Sequence, residues 1–585
     1  MDRTIECGVL VIGGGLAGCR AALRARDFCD DVLLVDKAVV GRSGASFWGH
    51  GILAPFHAGK FTRWMREYVE TSEFLTDQEC MEILLREQPD RLKDLEEWGV
   101  PFKTDSEGRK IEEPGRGGMD YTRLVFFSSA LWMGKVKEQV VKKGIRVMKR
   151  ITITDLLTSD GQHPTRGRVV GAVGFDSWSG EFLSFKAKAV VVTTGMITTK
   201  FTSDLSDNDT GDGQAMAFRA GADLTGLEFG PGTSYYVIRD GNFTTGLGLL
   251  QFQNHGAFFV NSIGERVMEK YLPGRMERGS GRGPLAQAFV KEILEGRGPL
   301  YVDIRHWSPE RIELFNRVIP LTMQSIARAG IDVRTERLEF TVLPNGFYSS
   351  GDGGIKVGVN GETNLPGLFA AGACSSIRAD TEPVGGAPLA NCNVFGHRTG
   401  EAAGQAASGA SEVTVSSSQV EQLKKEAMAP LRQEKGLEPM DLVMAVDSKW
   451  LPWRYSIIKG ERRIKEALRE IQRIENEDVP RLAAADYHGL VRVHEARNLA
   501  LMAELFQRAS LERKESRCKH YREEYPYRDD VDWLCWLVLR RGEKGVEVRK
   551  EPLPVERYPI KLDKRERVPA PVQFSYEDYE RGLKG

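Results

Sequence analysis

The chain has 585 residues, with 81 Lys and Arg against 82 Asp and Glu and a formal net charge of −1. At about 150 residues per domain, this length predicts three or four units, and the balanced charge argues against nucleic acid as a partner. Hydrophobic residues make up 41% and charged residues 28%, which is ordinary globular usage and excludes disorder and collagen.

The spacing of the cysteines and the lengths of the apolar runs limit which metal cofactors and which cell compartment the sequence predicts. None of the eight cysteines occurs as C-x-x-C, so their spacing predicts no metal site and no iron–sulfur cluster in this chain. Apolar runs of about 18 residues are absent, and the N-terminus enters a strand-like segment at residues 9–12 without a basic leader. We therefore expect a reduced, cytoplasmic protein with no integral membrane segment.

A glycine-rich turn follows the first buried strand and opens a helix in CGVLVIGGGLAGCRAALRA. Gly13, Gly15 and Gly18 have the G-x-G-x-x-G spacing, and Asp36 ends the next buried strand, DVLLVDK. The three glycines permit a tight turn, a close approach to a pyrophosphate and close packing of helix on strand. The phosphates would bind at the helix N-terminus, and Asp36 would accept hydrogen bonds from a ribose. This pattern predicts a dinucleotide site.

Later segments indicate FAD rather than NAD. A strand-rich stretch, RVVGAVGFDSWSGEFLSFKAKAVVVTTG, ends in a buried strand at residues 189–194 followed by Gly195. It is followed by TGDGQAMAFRAGA and LPGLFAAGACSS, an order not expected of an NAD dehydrogenase. These strands return to the parent sheet, as in an FAD-binding fold.

The fold class that we predict is α/β: a Rossmann-like FAD-binding fold, an inserted α+β capping domain and a C-terminal helical bundle. The predicted domains are a discontinuous FAD-binding domain at 1–240 and 346–412, a capping domain at 241–345, a helical domain at 413–513 and a C-terminal tail at 514–585. In the capping domain, GAFFVNSIGERVM predicts strands and residues 283–295 predict an amphipathic helix. The tail predicts a hairpin followed by an extended segment.

These segments, with GRSGASFWGHGI, NSIGERVMEKYLP, VGGAPLANCNVFGHRTGEAAG and the C-terminal ESRCKHYREEYPYRDDVDW, resemble the succinate dehydrogenase and fumarate reductase flavoprotein superfamily. This superfamily includes L-aspartate oxidase and the adenylylsulfate reductase alpha subunit. The resemblance spans nearly the whole chain and implies FAD as the cofactor. The residues that we predict to bind FAD are Gly13, Gly15, Gly18, Asp36, Lys37, Ser43, Gly44, Gly51, Thr194, Gly195, Asp212, Gly372 and Leu389.

One departure from the family concerns the flavin linkage. In covalently flavinylated members a histidine follows an Arg–Ser pair, whereas here Arg42 and Ser43 are followed by Gly44. We therefore predict non-covalent FAD. His50 has the wrong spacing for the linkage; a role near the flavin or substrate and a merely structural role remain open for it. The helix beginning at about residues 385–391 is expected to point its N-terminus at the flavin.

A second departure concerns substrate binding. Members that act on dicarboxylates hold them with two histidines and an arginine, and here Thr233, Phe347 and Pro383 stand at those places. Succinate and fumarate are therefore predicted to be poor substrates. A cluster of aromatic residues suggests a bulkier or less charged substrate, with Tyr235 a candidate catalytic residue. This cluster consists of Phe47, Trp48, Tyr235, Tyr236, Phe347 and Tyr348.

The resemblance also implies a proton-donating arginine after the E-R-x-M-E-x-Y-x-P run. Arg282 lies within one residue of that spacing, and Arg275 and Arg278 compete for the role. An arginine stays protonated, which suits donation. Binding of solvent or of an FAD phosphate by these loop arginines is the alternative.

Three functions fit these observations. The first is an FAD-dependent oxidoreductase that reduces an activated C=C bond, or dehydrogenates a C–C bond, of a small non-succinate substrate. The second is an adenylylsulfate reductase alpha-like flavoprotein, and the third is an FAD electron-transfer subunit of a larger complex. An iron–sulfur, ferredoxin-like electron partner is expected, and the sequence leaves open whether the chain forms a homodimer or joins a hetero-oligomer.

Overall fold

The computed structural model describes residues 3–54, 59–114, 121–127, 129–200, 206–245, 249–274, 276–277, 281–347, 352–377, 385–433 and 435–584. The strands are β1 (Arg3–Ile12), β2 (Val32–Asp36), β3 (Gly51–Leu53), β4 (Glu112–Pro114), β5 (Arg123–Phe126), β6 (Arg146–Lys149), β7 (Ile151–Thr158), β8 (Val169–Asp176), β9 (Phe182–Val192), β10 (Ile197–Thr198), β11 (Leu224–Thr225), β12 (Gly232–Arg239), β13 (Asn242–Thr245), β14 (Phe258–Val260), β15 (Leu300–Asp303), β16 (Leu338–Phe347), β17 (Gly354–Lys356), β18 (Leu368–Ala370), β19 (Ser375–Ser376), β20 (Tyr527–Asp529), β21 (Cys535–Gly542), β22 (Gly545–Pro552) and β23 (Arg567–Pro569).

The helices are α1 (Leu16–Ala25), α2 (Phe61–Thr71), α3 (Gln78–Glu97), α4 (Ser129–Lys142), α5 (Asp212–Ala220), α6 (Leu249–Asn254), α7 (Val267–Tyr271), α8 (Arg282–Glu292), α9 (Pro309–Val318), α10 (Pro320–Arg328), α11 (Ala387–Gly409), α12 (Ser417–Met428), α13 (Pro439–Asp447), α14 (Trp453–Ser456), α15 (Glu461–Arg473), α16 (Tyr487–Glu512) and α17 (Tyr576–Lys584). Within the described ranges, no helix is both long enough and apolar enough to cross a membrane.

The first sheet has the order β6-β2-β1-β9-β8-β7, with β18 also paired to β9. Strands β6, β2, β1, β9 and β18 pair in parallel, and β2 is buried along its length, as expected for a parallel sheet covered on both faces. Helix α1 crosses over between β1 and β2 and packs along α11. Gly396 of α11 lies against the backbone of Ala17, and Gly400 lies against that of Ala21, so the two helices approach closely.

The second sheet is antiparallel in the order β13-β12-β16-β15-β14, with β10 paired to β16. β12 begins at Gly232, before the boundary predicted at residue 240, and its partners are strands of this second sheet. The pairing therefore supports a boundary near residue 231. Of the segment GAFFVNSIGERVM, for which strands are predicted, only the part in β14 is a strand. The NSIG residues then make a tight turn, and the RVM residues lead into α7.

The C-terminal tail completes a third sheet, β19-β17-β11-β21-β22. The predicted hairpin is β21 and β22, and β21 pairs with β11 of the FAD-binding region. The chain then follows the surface, where the backbone of Ile560 exchanges hydrogen bonds with the side chain of Gln78. It ends in α17, a helix that the sequence pattern did not predict. The segment at 413–513 is helical as predicted, with α13 and α15 packed on α16.

Candidate active site

A long cleft opens where the carboxyl ends of β1, β2 and β9 meet the N-termini of α1 and α11. Its empty volume is about 1830 Å³, including the part open to solvent. The walls are the glycine turn after β1, the turn at residues 44–46 and the first residues of α11. Ligands of open α/β sheets bind at this edge, so the topology places a ligand site here.

The glycine turn shapes one end of the cleft. Gly13 has φ +109°, and a Cβ atom there would lie 2.3 Å from the carbonyl oxygen of Thr193. At Gly18 a Cβ atom would lie 1.8 Å from the Gly13 oxygen, so this glycine serves helix–strand packing and lies outside the cleft lining. At Gly15 a Cβ atom would face the cleft, with Ser46 Oγ 3.4 Å away. The turn therefore leaves the open cradle that a dinucleotide pyrophosphate requires, and these residues fit FAD.

Asp36, at the end of β2, is buried and lines the cleft. Its Oδ2 accepts a hydrogen bond from the Gly14 N–H at 2.7 Å, and its Oδ1 accepts from Ala38 N–H at 2.7 Å and from Ser43 Oγ at 3.1 Å. The carboxylate thus ties the glycine turn to the Ser43–Gly44 turn on the opposite wall. A role in ribose binding remains a prediction.

Lys37 and Asp212 also line the cleft, but they pair with each other. Lys37 Nζ lies 2.8 Å from Asp212 and 2.7 Å from Glu495 of α16, and Asn498 donates a hydrogen bond to Asp212. The carboxylates raise the pKa of Lys37 despite its burial, and Lys37 helps to lower the pKa of Asp212. The structure therefore gives this pair a structural role alongside the predicted cofactor role.

The other predicted cofactor residues come together along the same cleft. Thr194 Oγ1 accepts a hydrogen bond from the Gly213 N–H at 3.1 Å, which joins the end of β9 to α5. Gly386, the N-cap of α11, has φ +87°, and the first turn of α11 faces the cleft, as expected for a helix that points at a flavin. The predicted residues that line this part are Ser43, Gly44, Gly51, Thr194, Gly195, Gly372 and Leu389.

The candidate substrate residues also line the cleft, and the part of the lining that they form is called the substrate end. Thr233 and Arg282 line it, together with His50 and the partly exposed Trp48. The His50 ring is buried and stacks on Phe126 with ring centroids 6.3 Å apart. Arg282 is the first residue of α8. The structure thus brings Arg282, His50 and Thr233 to the lining of the predicted cofactor cleft.

The aromatic cluster is only partly assembled. Tyr235 and Trp48 both line the cleft, but the buried ring of Tyr235 also packs edge-to-face on Phe289 and Phe340. Tyr236 contacts Phe243 on the other face of β12, because successive strand residues point to opposite faces. Tyr236 therefore does not share the cleft with Tyr235, which corrects the predicted cluster.

Two members of that cluster lie outside the described side chains, and one lies beside the cleft. Phe47 packs edge-to-face on Trp48, with ring centroids 5.1 Å apart, and is not part of the cleft lining. The side chain of Phe347 and the whole of Tyr348 fall outside the described part of the chain. Tyr235 and Trp48 are therefore the members of the cluster that the structure brings to the cleft.

Three further candidates fall outside the described residues. They are Arg275, Arg278 and Pro383, so the competition between Arg282 and the other two arginines stays a prediction. All eight cysteines are free thiols. In the described part of the chain, no group of three or more His, Cys, Asp or Glu side chains is placed to hold a metal ion.

Two features of the site were not predicted from the sequence. Lys519 forms a buried ion pair with Asp352, and Gly283 of α8 lies against the Cys518–Lys519 backbone, so this pair stands directly behind Arg282. Burial, together with the charge of Arg282, lowers the pKa of Lys519 well below its ordinary value. The second feature is Asp209, a buried acid in the cleft wall. The local sequence around Asp209 and Asp352 indicates neither feature, and the segment ESRCKHYREEYPYRDDVDW, which contains Lys519, does not indicate the partner of Lys519.

Comparisons with known proteins agree with this geometry. The FAD binding domain family matches residues 8–389, and the fumarate reductase flavoprotein C-terminal family matches residues 449–567. The chain is 30% identical over 561 residues to a subunit of the fumarate reductase (CoM/CoB) of Methanothermobacter marburgensis, covering 92% of this chain and 97% of that protein.

Solved structures share the fold. E. coli quinol fumarate reductase matches with a TM-score of 0.83 at 23% identity, covering 96% of this chain and 98% of that one. Adenylylsulfate reductase from Archaeoglobus fulgidus matches with a TM-score of 0.78 at 22% identity, covering 94% and 96%.

The fold and cleft define an FAD-dependent oxidoreductase. The chain belongs to the fumarate reductase and succinate dehydrogenase flavoprotein family, of which it is a divergent member. The predicted resemblance, fold class and FAD cofactor are confirmed.

Proposed function

We propose that this flavoprotein reduces an activated C=C bond, or dehydrogenates the corresponding C–C bond, of a substrate other than a C4 dicarboxylate. The observation that carries the proposal is the lining of the substrate end. Among the described residues, Arg282 and Lys37 are the Arg and Lys side chains that line the cleft, and Lys37 is already paired with Asp212 and Glu495. The resemblance puts Thr233 where dicarboxylate-binding relatives have a histidine. A substrate with one anionic or carbonyl group matches this lining better than a dicarboxylate does.

The energetics follow from the charge-assisted hydrogen bonds that hold carboxylates. Each such hydrogen bond is worth about 1.5 to 3 kcal/mol. The loss of each carboxylate-binding side chain therefore lowers the affinity for a dicarboxylate by about tenfold or more. The relative from M. marburgensis carries fumarate reductase in its name, which makes fumarate the competing substrate to be tested.

Bound FAD supplies hydride or single-electron transfer. The protein's own contribution at the reacting end is to bind and orient the substrate. Arg282 donates hydrogen bonds to its anionic or carbonyl oxygen and supplies a proton, and the close packing of Gly283 on the Cys518–Lys519 backbone supports this role of the first turn of α8. His50 and Trp48 contribute to the same lining.

We also propose that an iron–sulfur protein is the electron partner. This proposal rests on the relative from M. marburgensis, which is named as one subunit of its enzyme. An arrangement in which FAD only relays electrons between partners would leave the substrate end without a function, and the lining of that end supports the enzymatic alternative.

The experiment is anaerobic photoreduction of the purified flavoprotein, followed by rapid mixing with one oxidant at a time. The oxidants are an enone, a monocarboxylic enoate, fumarate, adenylylsulfate and an oxidised ferredoxin, and the readout is the return of oxidised-flavin absorbance. Direct reoxidation by the enone or enoate is expected. Reoxidation by adenylylsulfate would favour a reductase of that type, and reoxidation by the ferredoxin alone would favour an electron-transfer subunit.

A further inference from the structure

A buried carboxyl group stands in the wall of the FAD cleft at Asp209. Its Oδ2 accepts a hydrogen bond from the Ala45 N–H at 3.4 Å, and its Oδ1 lies 3.7 Å from the position of a Cβ atom at Gly44. The main-chain oxygen of Asp209 accepts hydrogen bonds from Thr198 N–H at 2.7 Å and Thr198 Oγ1 at 3.0 Å. The side chain is therefore held in place from its own backbone and faces the turn at residues 44–46.

The absence of a side chain at Gly195 leaves room for this carboxyl group in the wall of the cleft. Gly195 has φ +84°, and a Cβ atom there would lie 2.8 Å from both Cγ and Oδ1 of Asp209. The turn that contacts Asp209 also reaches the cofactor's phosphate end, because Ser46 Oγ accepts the Leu16 N–H at the start of α1 at 3.2 Å. Asp209 therefore contacts the same turn that bonds to the start of α1, where the phosphates of the cofactor are predicted to bind.

The charges around Asp209 do not neutralise it. Lys37 is held by Asp212 and Glu495, and no described cation lies within ion-pair distance of Asp209. Burial raises the pKa of Asp209 to about 7; the charge of Lys37 and the Ala45 N–H oppose this rise, and two neighbouring carboxylates add to it. The charged groups on the surrounding elements are Asp36, Lys37, Lys200, Asp212 and Glu495.

We propose that Asp209 is an FAD-binding residue that contacts the cofactor as a neutral carboxylic acid, so that above neutral pH the binding of FAD takes up as much as one proton from solvent. The pyrophosphate of FAD is an anion, and an ionised carboxylate in the same wall would repel it. The neutral acid instead donates its O–H to an oxygen of the cofactor, a contact of the kind that buried polar groups require.

The sign of the pH dependence follows by linkage. Below about pH 6, Asp209 is protonated in both the free and the bound protein, and the FAD dissociation constant is flat. As the pH rises above 7, the free protein loses the proton that the complex retains. The dissociation constant then increases by up to about tenfold per pH unit.

The test measures FAD release from diluted holoenzyme between pH 6 and 8.5, using the fluorescence of the freed cofactor. We expect the wild-type dissociation constant to rise at least tenfold across this range. Asp209→Asn, which keeps the shape and a donor, should give a profile flat to within twofold and near the wild-type value at pH 6. Asp209→Ser, a second neutral donor, should also be flat if the amide variant does not fold.

The matched control is Asp207→Asn, an exposed acid two residues away, which should retain the wild-type profile. A flat wild-type profile, or a wild-type slope that persists in both Asp209 variants, would overturn the proposal. Retention of the flavin even by denatured protein would mean a covalent linkage and would overturn it as well. None of these readouts depends on the identity of the substrate, so failure of this proposal would leave the proposed function untouched.

Discussion

The ammonium group of Lys37 lies 2.7 Å from the carboxylate of Glu495, an ion pair that joins the end of the FAD-binding sheet to helix α16. Lys37 also holds Asp212 at 2.8 Å, and Glu495 binds Lys200 through its other oxygen at 2.7 Å. This network ties the cofactor cleft to the helical domain. The position after β2 is thus a structural junction as well as a predicted cofactor contact.

Replacing Lys37 by Met should therefore destabilise the whole protein. The change leaves Asp212 and Glu495 buried with a lost counter-charge, and breaking a buried pair costs about 3 to 5 kcal/mol. The measurement is urea unfolding of the holoenzyme in excess FAD. Lys135→Met, which removes an exposed pair with Glu138, is the control and should change stability by no more than about 1 kcal/mol. If the two variants were equally stable, the structural role assigned to the Lys37 ion pairs would be contradicted.

Gly18→Ala should reduce FAD retention and stability. The added Cβ would lie 1.8 Å from the Gly13 oxygen and would push α1 away from the glycine turn. Gly134→Ala in α4 is the matched change, because a Cβ there meets nothing within 4 Å and the helix should gain about 0.5 to 1 kcal/mol. Bound flavin per chain after gel filtration checks both. Full flavin content in Gly18→Ala would show that the packing tolerates a methyl group.

The buried ion pair between Lys519 and Asp352 predicts a specific pattern of unfolding free energies in single and double variants. Lys519→Met should cost about 3 to 5 kcal/mol of stability because it leaves Asp352 buried and uncompensated. Adding Asp352→Leu should restore most of that loss, since replacing a whole buried pair with apolar side chains is often neutral. Unfolding free energies of the two single variants and the double variant form the required cycle. Additive losses in the double variant would mean that the two residues do not act as a pair.

Arg282→Gln should slow reoxidation of the reduced flavin by an activated alkene by about 10² to 10⁴-fold, the usual contribution of a positioned proton donor. The rate of photoreduction should not change, because it requires no substrate. The control is Arg166→Gln, an exposed residue that pairs with Glu543 at the surface. If the reoxidation rate were unchanged in Arg282→Gln, a group other than Arg282 would be the proton donor.

The flavin should be released in full when the protein is precipitated with acid, since Gly44 stands where covalently flavinylated relatives have a histidine. The supernatant and pellet are compared by flavin absorbance. A yellow pellet after repeated washing would reject non-covalent binding.

The glycine turn and its strands were predictable because sterics and periodicity act within a few residues. The packing of Gly13 and Gly18 in the turn follows from the local pattern alone, whereas the ribose contact of Asp36 stays a prediction. Asp352 and Lys519 are far apart in sequence and meet only through tertiary packing, so no local pattern reveals the pair. The placement of Tyr236 was predictable after all, because a strand that turns Tyr235 inward must turn its neighbour outward.

The measurement that tests the central claim most directly compares fumarate with a monocarboxylic enoate as oxidants of the photoreduced flavoprotein under anaerobic conditions. We expect the enoate to restore oxidised-flavin absorbance rapidly, and fumarate at millimolar concentration neither to perturb the oxidised-flavin spectrum nor to reoxidise the reduced enzyme. Rapid reoxidation by fumarate, with the enoate inert, would contradict the account and make this chain a fumarate reductase that binds its substrate with a different set of residues.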